Sequence, residues 1–244
     1  MRLTRVHTPV ELRDPGTVRL EGTAAAHVSR VLRLKGGDPV TLFNGDGWEY
    51  RGTISHSGSG FVEVAVSGKV AGLPESPLTL TLAQGIARGE RMDLVMQKAT
   101  ELGVARIVPL FTERSVVRLD EKQGQRKLAH WKAVTVAACE QSGRSRLPVV
   151  EPPVRLEEWL AREPRPARCL TLAPGAEQSL RSLGGSWHEA ALLVGPEGGL
   201  SEMEQADAAR AGYQACSLGR RVLRTETAAL AALAVLQAVH GDLG

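Results

Sequence analysis

Ala190-Ala-Leu-Leu-Val194-Gly195-Pro196-Glu197-Gly198-Gly199-Leu200 and, after one intervening segment, Ala215-Cys-Ser-Leu218-Gly219-Arg220-Arg221-Val222-Leu223-Arg224-Thr225-Glu226-Thr227-Ala228 decide the fold. Each opens with a short apolar run that breaks at glycine, which is how a buried strand reads where it enters a loop. Between them Ser201-Glu-Met-Glu204 is a capping box, the serine oxygen closing a free amide while Glu204 reaches back, and Gly212 stops the helix it opens. Working outward, strand-like runs at 78–83, 106–111, near 149 and at 168–173 alternate with helical stretches at 125–141, 156–162 and from Thr225 to Gly241. Met92, Val95, Met96, Ala99 and Leu102 follow one helical face up to Gly103 and read as core. Strand alternating with helix predicts an α/β fold on a parallel sheet.

The first seventy residues read differently. Val40-Thr-Leu-Phe43, Trp48-Glu-Tyr-Arg-Gly-Thr-Ile54 and Phe61-Val-Glu-Val-Ala-Val66 are β-like, and the last two alternate with period two. Asn44-Gly45-Asp46-Gly47 predicts a hairpin, because Asn and Gly accept the positive φ such turns need. A short helix over 27–33 is expected to bury Val28, Val31 and Leu32 and expose Arg30 and Arg33. These elements predict a small β-barrel. Two glycines and two prolines in 68–77 interrupt both periodicities, so the boundary falls between a 1–72 domain and a 73–244 domain.

The 244 residues, 43% hydrophobic and 23% charged, describe a globular protein and exclude disorder and fibres. The longest apolar run, Ala228 to Leu236, has nine residues. A bilayer span needs about twenty, so no membrane partner is expected. The opening nine residues carry no apolar targeting core, which predicts a cytoplasmic location. Cys139, Cys169 and Cys216 form no C-x-x-C pair and sit in apolar surroundings, so neither a metal site nor a disulfide frame is expected.

Ligands of open parallel sheets bind beyond the carboxyl ends of the strands, which singles out the loops after Val194 and Leu218. The first is glycine-rich without being G-x-G-x-x-G, and no G-x-x-x-x-G-K-[ST] occurs, so the common dinucleotide and triphosphate cradles are absent. Glycine there lets backbone approach a flat ligand, with Leu218 and Leu223 as apolar contacts; the same residues also suit a plain tight turn. Of 30 basic residues 24 are arginine, the side chain that forks onto phosphates. Nine basic and four acidic residues fall between 106 and 146, ending in Gln141-Ser-Gly-Arg144-Ser-Arg146. That stretch and the Arg30 and Arg33 pair both suit phosphate contacts, although a solvated helix face produces the same charge excess.

Taken together, these blocks resemble the RsmE-type ribosomal RNA methyltransferases of the SPOUT superfamily. The resemblance runs through His27-Val-Ser-Arg-Val-Leu-Arg33 with Gly37-Asp38 and Leu42-Phe-Asn-Gly45, Gln97-Lys-Ala-Thr-Glu-Leu-Gly103, Glu113-Arg114-Ser115, Glu140-Gln141 with Arg144, Gly195-Pro-Glu-Gly-Gly-Leu200, and Leu218-Gly with Arg221-Val-Leu-Arg-Thr-Glu-Thr-Ala228. His7 departs from it, standing where an aromatic such as Phe is expected, and Arg220 occupies a variable position.

The resemblance implies an S-adenosylmethionine-dependent enzyme of ribosome biogenesis that methylates N3 of one uridine in 16S ribosomal RNA. It also implies a PUA-like RNA-binding barrel, a C-terminal trefoil knot and a homodimer. By resemblance Leu172, Ala173, Gly195, Pro196, Glu197, Gly198, Leu218, Gly219, Leu223 and Thr225 form the cofactor pocket, and Arg30, Arg33, Arg114, Gln141, Arg144 and Arg146 meet RNA. Uracil N3 must lose a proton as the methyl arrives, which calls for a base or for cations beside the flanking carbonyls. Arg224, Arg144 and Arg221 are the candidates for stabilising the uracilate, and Glu197 for orienting its loop or relaying the proton; a helix-start or dimer salt bridge is the competing role for Arg221 and Arg224. Two other readings remain: a non-catalytic RNA-binding protein of the same architecture, and a methyltransferase acting on transfer RNA. A cysteine nucleophile is disfavoured, since no cysteine lies in an electropositive loop.

Overall fold

The computed structural model describes residues 4–117 and 119–244. Residues 1–3, part of the opening stretch read for targeting, and Arg118, one of the basic residues counted between 106 and 146, lie outside them. The chain folds into two compact units, one comprising the residues up to Glu75 with Val136–Leu147, the other Ser76–Thr135 with Pro148–Gly244. Val136–Leu147 lies beyond the boundary read at 72, yet it packs in the first unit: Glu140 Oε1 accepts from the His7 amide at 2.9 Å, and the Arg144 carbonyl accepts from Arg5 Nη2 at 2.8 Å.

In the first unit β1 (Arg5–His7), β2 (Gly16–Glu21), β3 (Pro39–Phe43), β4 (Trp48–Gly58) and β5 (Phe61–Ala71) pair in the order β1-β3-β4-β5-β2. The β1–β3 pairing is parallel and the rest antiparallel. No ladder joins β1 to β2 among the described residues, so the expected barrel is a half-barrel. Val18, Leu20, Leu42, Ile54 and Val64 fill its interior. The turn between β3 and β4 forms as expected: Gly45 and Gly47 take φ of 94° and 91°, and Asp46 Oδ1 accepts from the Trp48 amide at 2.8 Å.

The helix expected over 27–33 differs. α1 (Gly22–Ala26) starts earlier and runs into a π-helical turn, His27–Val31, in which the Leu32 amide donates to the His27 carbonyl at 2.9 Å, five residues back. This wider turn advances each residue by less than the about 100° of an α-helix. Val28 stays fully buried, whereas Val31, expected inside, is 67% exposed. Arg30 and Arg33 are exposed.

The second unit runs β6 (Thr79–Gly85), α2 (Glu90–Glu101), β7 (Arg106–Phe111), α3 (Glu121–Ser142, whose last turns belong to the first unit), β8 (Val149–Val150), β9 (Val154–Arg155), α4 (Leu156–Leu160), β10 (Arg168–Leu172), β11 (Glu189–Val194), α5 (Glu202–Arg210), β12 (Gln214–Cys216) and α6 (Thr225–His240). The sheet order is β12-β10-β11-β6-β7-β8, with β9 also on β7, and every ladder is parallel. Leu80, Leu82, Ile107, Leu170 and Leu192 share one core with Met92, Val95 and Met96 of α2 and Leu233 and Leu236 of α6. Ala83, Val108, Leu110, Ala191 and Leu193 share the other with Trp159 of α4 and Ala208 of α5. Burial on both faces is why these strands read as nearly unbroken apolar runs. The capping box at Ser201 and Glu204 is present. Because β6, β10, β11 and β12 run parallel, their carboxyl ends and the loops that follow share one edge of the sheet.

Candidate active site

A cavity of about 350 Å³ opens at that edge, walled by the residues after β10, the loop 195–200 after β11 and the loop between β12 and α6. Leu172, Ala173, Gly195, Pro196, Glu197, Gly198, Leu218, Gly219, Leu223 and Thr225 all line it, together with Arg114, Arg221 and Val222. Gly195 is required by close approach: a Cβ there would lie 2.8 Å from the Gly199 carbonyl carbon and the Leu200 nitrogen. Gly219 has φ of 87°, and no atom lies within 4 Å of where its Cβ would project. One wall is therefore bare backbone, while Leu172, Leu218 and Leu223 supply apolar surface.

Hydrogen bonds join the walls, those of Thr225 buried or partly buried and those of Arg114 and Glu197 exposed. Thr225 Oγ1 donates to the Gly195 carbonyl at 2.6 Å and accepts from Gln84 Nε2 at 2.9 Å. Arg114 Nη1 donates to the Gly198 carbonyl at 3.0 Å. Glu197 Oε1 accepts from the Arg88 amide at 2.9 Å and from Arg91 Nη1 at 2.7 Å. Burial opposes ionisation of Glu197, but the Arg88 amide, its own amide and the Arg91 guanidinium outweigh that and hold its carboxyl below the usual carboxylate range. Arg91 Nε also lies 3.9 Å from Oε1 of Glu226 in the first turn of α6. Cys216 lines the cavity, and burial raises its thiol, as it does Cys169 and, to about 11, Cys139. A thiol pushed that way is a poor nucleophile.

The other expected residues fall in two places. Arg221 is exposed on the cavity wall; Arg224 is exposed and immediately precedes α6. Arg144 belongs to the first unit, where it is buried and forks onto Glu75. Gln141 and Arg146 are exposed in the same unit, Arg146 with its guanidinium against Gly47. Arg33 takes φ of 55°, the one non-glycine positive φ among the described residues. Gln84, Arg88, Arg91 and Glu226 were not singled out from sequence. Glu226 sits inside the quoted Arg-Thr-Glu-Thr-Ala block, and Arg88 and Arg91 follow the carboxyl end of a parallel strand, the same positional signal that marked the other loops. Among the described residues no group of three or more His, Cys, Asp or Glu is placed to hold a metal ion, and no helix is long and apolar enough to cross a membrane.

A family model described as an RNA methyltransferase domain matches residues 74–237, and one described as an RNA methyltransferase PUA domain matches residues 20–67. The ribosomal RNA small subunit methyltransferase E of Buchnera aphidicola subsp. Schizaphis graminum is 30% identical over 242 residues, 99% of this chain and 98% of that protein. That of Bacillus subtilis is 29% identical over 237 residues, 94% and 93% of the two chains. A Legionella pneumophila methyltransferase solved in complex with S-adenosylmethionine matches with a TM-score of 0.96 and 41% identity over 100% of both chains. The ribosomal RNA small subunit methyltransferase E of Neisseria gonorrhoeae, bound to S-adenosylmethionine, matches at 0.92 and 36%, again over 100% of both. Glycine-rich loop, arginine-rich loop and full-length likeness agree: the chain belongs to the RNA methyltransferase family whose members are named ribosomal RNA small subunit methyltransferase E.

Proposed function

We propose that this protein transfers a methyl group from S-adenosylmethionine to N3 of a uridine in the 16S RNA of the small ribosomal subunit. The observation that carries the reading is the cavity itself, which collects ten residues from three separate stretches at the carboxyl edge of the sheet. It suits that cofactor: Leu172, Leu218 and Leu223 offer apolar contact to a purine, and the side-chain-free wall at Gly195 and Gly219 admits a ligand against backbone. Relatives that match over their full length were solved with S-adenosylmethionine bound, which supports the same assignment here.

When bound, the cofactor supplies a methyl group on a positively charged sulfur. The chain's own residues hold the reactants in line, which accounts for much of the rate. Uracil N3 carries a proton at neutral pH, and its loss spreads negative charge onto the flanking carbonyl oxygens. Arg221, on the cavity wall, and Arg224, at the start of α6, are the cations that offset this charge. Glu197 fixes its loop: with its proton affinity lowered and Oε1 already accepting two hydrogen bonds, it is a poor proton acceptor. Arg144, engaged by Glu75, holds the 143–147 loop of the first unit. Arg30, Arg33, Gln141 and Arg146 meet RNA from that unit, and Arg114 serves from the cavity wall. In this reading residues 1–72 form the PUA-like domain and 73–244 the SPOUT methyltransferase domain. The protein acts in the cytoplasm as a homodimer. Thr225 reaching back to Gly195 from beyond edge strand β12 supports a trefoil-knotted path.

The reading is tested by offering labelled S-adenosylmethionine with small subunits that lack their own modification, and separately with transfer RNA. Label in 16S RNA alone is the expected result. Label in transfer RNA, or cofactor binding with label in neither, overturns it.

A further inference from the structure

We infer that Arg91 is a positioning residue that ties the 195–199 loop to the first turn of α6 and so sets the separation of two walls of the cavity. The inference rests on the cofactor assignment above and extends it to a residue that does not line the cavity. Arg91 stands in the first turn of α2, where a cation is disfavoured by the partial positive charge of unpaired amides. Its place there is explained by its partners. Nη1 donates to Glu197 Oε1 at 2.7 Å, the oxygen that also accepts the Arg88 amide at 2.9 Å, while Nε lies 3.9 Å from Glu226 Oε1.

Three segments far apart in sequence meet at this guanidinium: the turn after β6, the loop after β11 and the start of α6. Two of them carry cavity walls, since Pro196 and Gly198 flank Glu197 and Thr225 precedes Glu226. Glu226 is buried, its Oε2 has no hydrogen-bond partner among the described residues, and Arg91 is the cation in reach of its Oε1. Removing Arg91 leaves that carboxylate uncompensated and releases Glu197 from its charged donor, so both walls relax together. A planar fork reaches two carboxylates at once, whereas a lysine ammonium holds one well and the other poorly.

The test is calorimetric titration of S-adenosylhomocysteine into wild type, Arg91→Ala, Arg91→Lys and the double variant Arg91→Ala/Glu197→Gln, with KM for S-adenosylmethionine and for small subunits measured alongside. For Arg91→Ala the affinity is expected to fall about tenfold and KM for S-adenosylmethionine to rise in step, with KM for the ribosomal substrate unchanged. Arg91→Lys recovers part of the loss, and the double variant is no weaker than Arg91→Ala, because both changes break one contact. Wild-type binding with a superimposable Arg91→Ala curve overturns the inference alone. An equal loss in Arg91→Ala and Arg91→Lys, with KM for the ribosomal substrate rising alongside, overturns it too. Wild type that takes up no S-adenosylhomocysteine overturns the cofactor assignment and the inference with it.

Discussion

Gln84 Nε2 donates to Thr225 Oγ1 at 2.9 Å, and Thr225 Oγ1 in turn donates to the Gly195 carbonyl at 2.6 Å. Gln84 is fully buried at the carboxyl end of β6, and its amide also donates to the Gly85 carbonyl at 2.9 Å. One polar side chain in an apolar sheet thus joins a strand inside the sheet, the glycine loop and the last helix. The bonds all run through Nε2, while Oε1 has no hydrogen-bond partner among the described residues; the Nε2 relay specifies where α6 begins as well as how far it lies from the loop.

Gln84→Leu keeps the volume and removes the donor to Thr225 and Gly85. Stability should fall by about 1–3 kcal/mol, because buried acceptors lose a partner they cannot replace with water. Urea unfolding measures it, and a variant as stable as wild type would show that the relay is incidental.

Gly195→Ala places a Cβ 2.8 Å from backbone atoms of Gly199 and Leu200, so the loop must shift. Affinity for S-adenosylmethionine should fall by about tenfold or more, the equivalent of about 1–3 kcal/mol of overpacking. The circular dichroism spectrum should stay that of wild type. Undiminished cofactor binding would place the ligand elsewhere.

Arg224→Ala should lower turnover about a hundredfold or more through loss of a charge beside the developing uracilate. Its side chain is exposed and does not line the cavity, so affinity for S-adenosylhomocysteine should be unchanged. Unchanged turnover would remove Arg224 from the mechanism and transfer its role to Arg221.

His7 predicts a pH effect on stability. Burial lowers its pKa from the ordinary 6.5, and its ring packs edge-on against Phe43 with centroids 5.4 Å apart, taking the place of an aromatic. Well above pH 6.5 the imidazole is neutral folded or unfolded, and it adds no pH dependence. Below that value the unfolded chain binds a proton that the folded protein resists, so stability declines as pH falls toward the lowered folded pKa. His7→Phe should flatten this decline in urea midpoints taken on either side of pH 6.5; an unchanged slope would mean His7 does not contribute.

Much of the second unit was legible because its strands are buried on both faces and its loops are marked by glycine: 106–111 matches β7 residue for residue, and the helix read from Thr225 to its Gly241 stop is α6. β12 ended sooner than the apolar run, at Cys216, because Leu218 turns off the sheet into the cavity wall. β1 spans only three residues, too few for a period to show, and β2 sits between breakers although Val18 and Leu20 alternate inward. Val31 was misplaced because nothing in 27–33 distinguishes a five-residue hydrogen-bonded turn from a four-residue one. At the site, the glycine and arginine loops announced themselves, while Gln84 and Arg91 did not. Their partners lie more than a hundred residues away, and such a contact leaves no spacing in the sequence.

The most direct test of the account is nucleoside mass spectrometry of 16S RNA after incubating unmodified small subunits with the protein and S-adenosylmethionine. The account predicts a 3-methyluridine peak that is absent without the protein and strongly reduced with Arg224→Ala. Methylation at another atom, or no methylated nucleoside from protein that binds the cofactor, would contradict it.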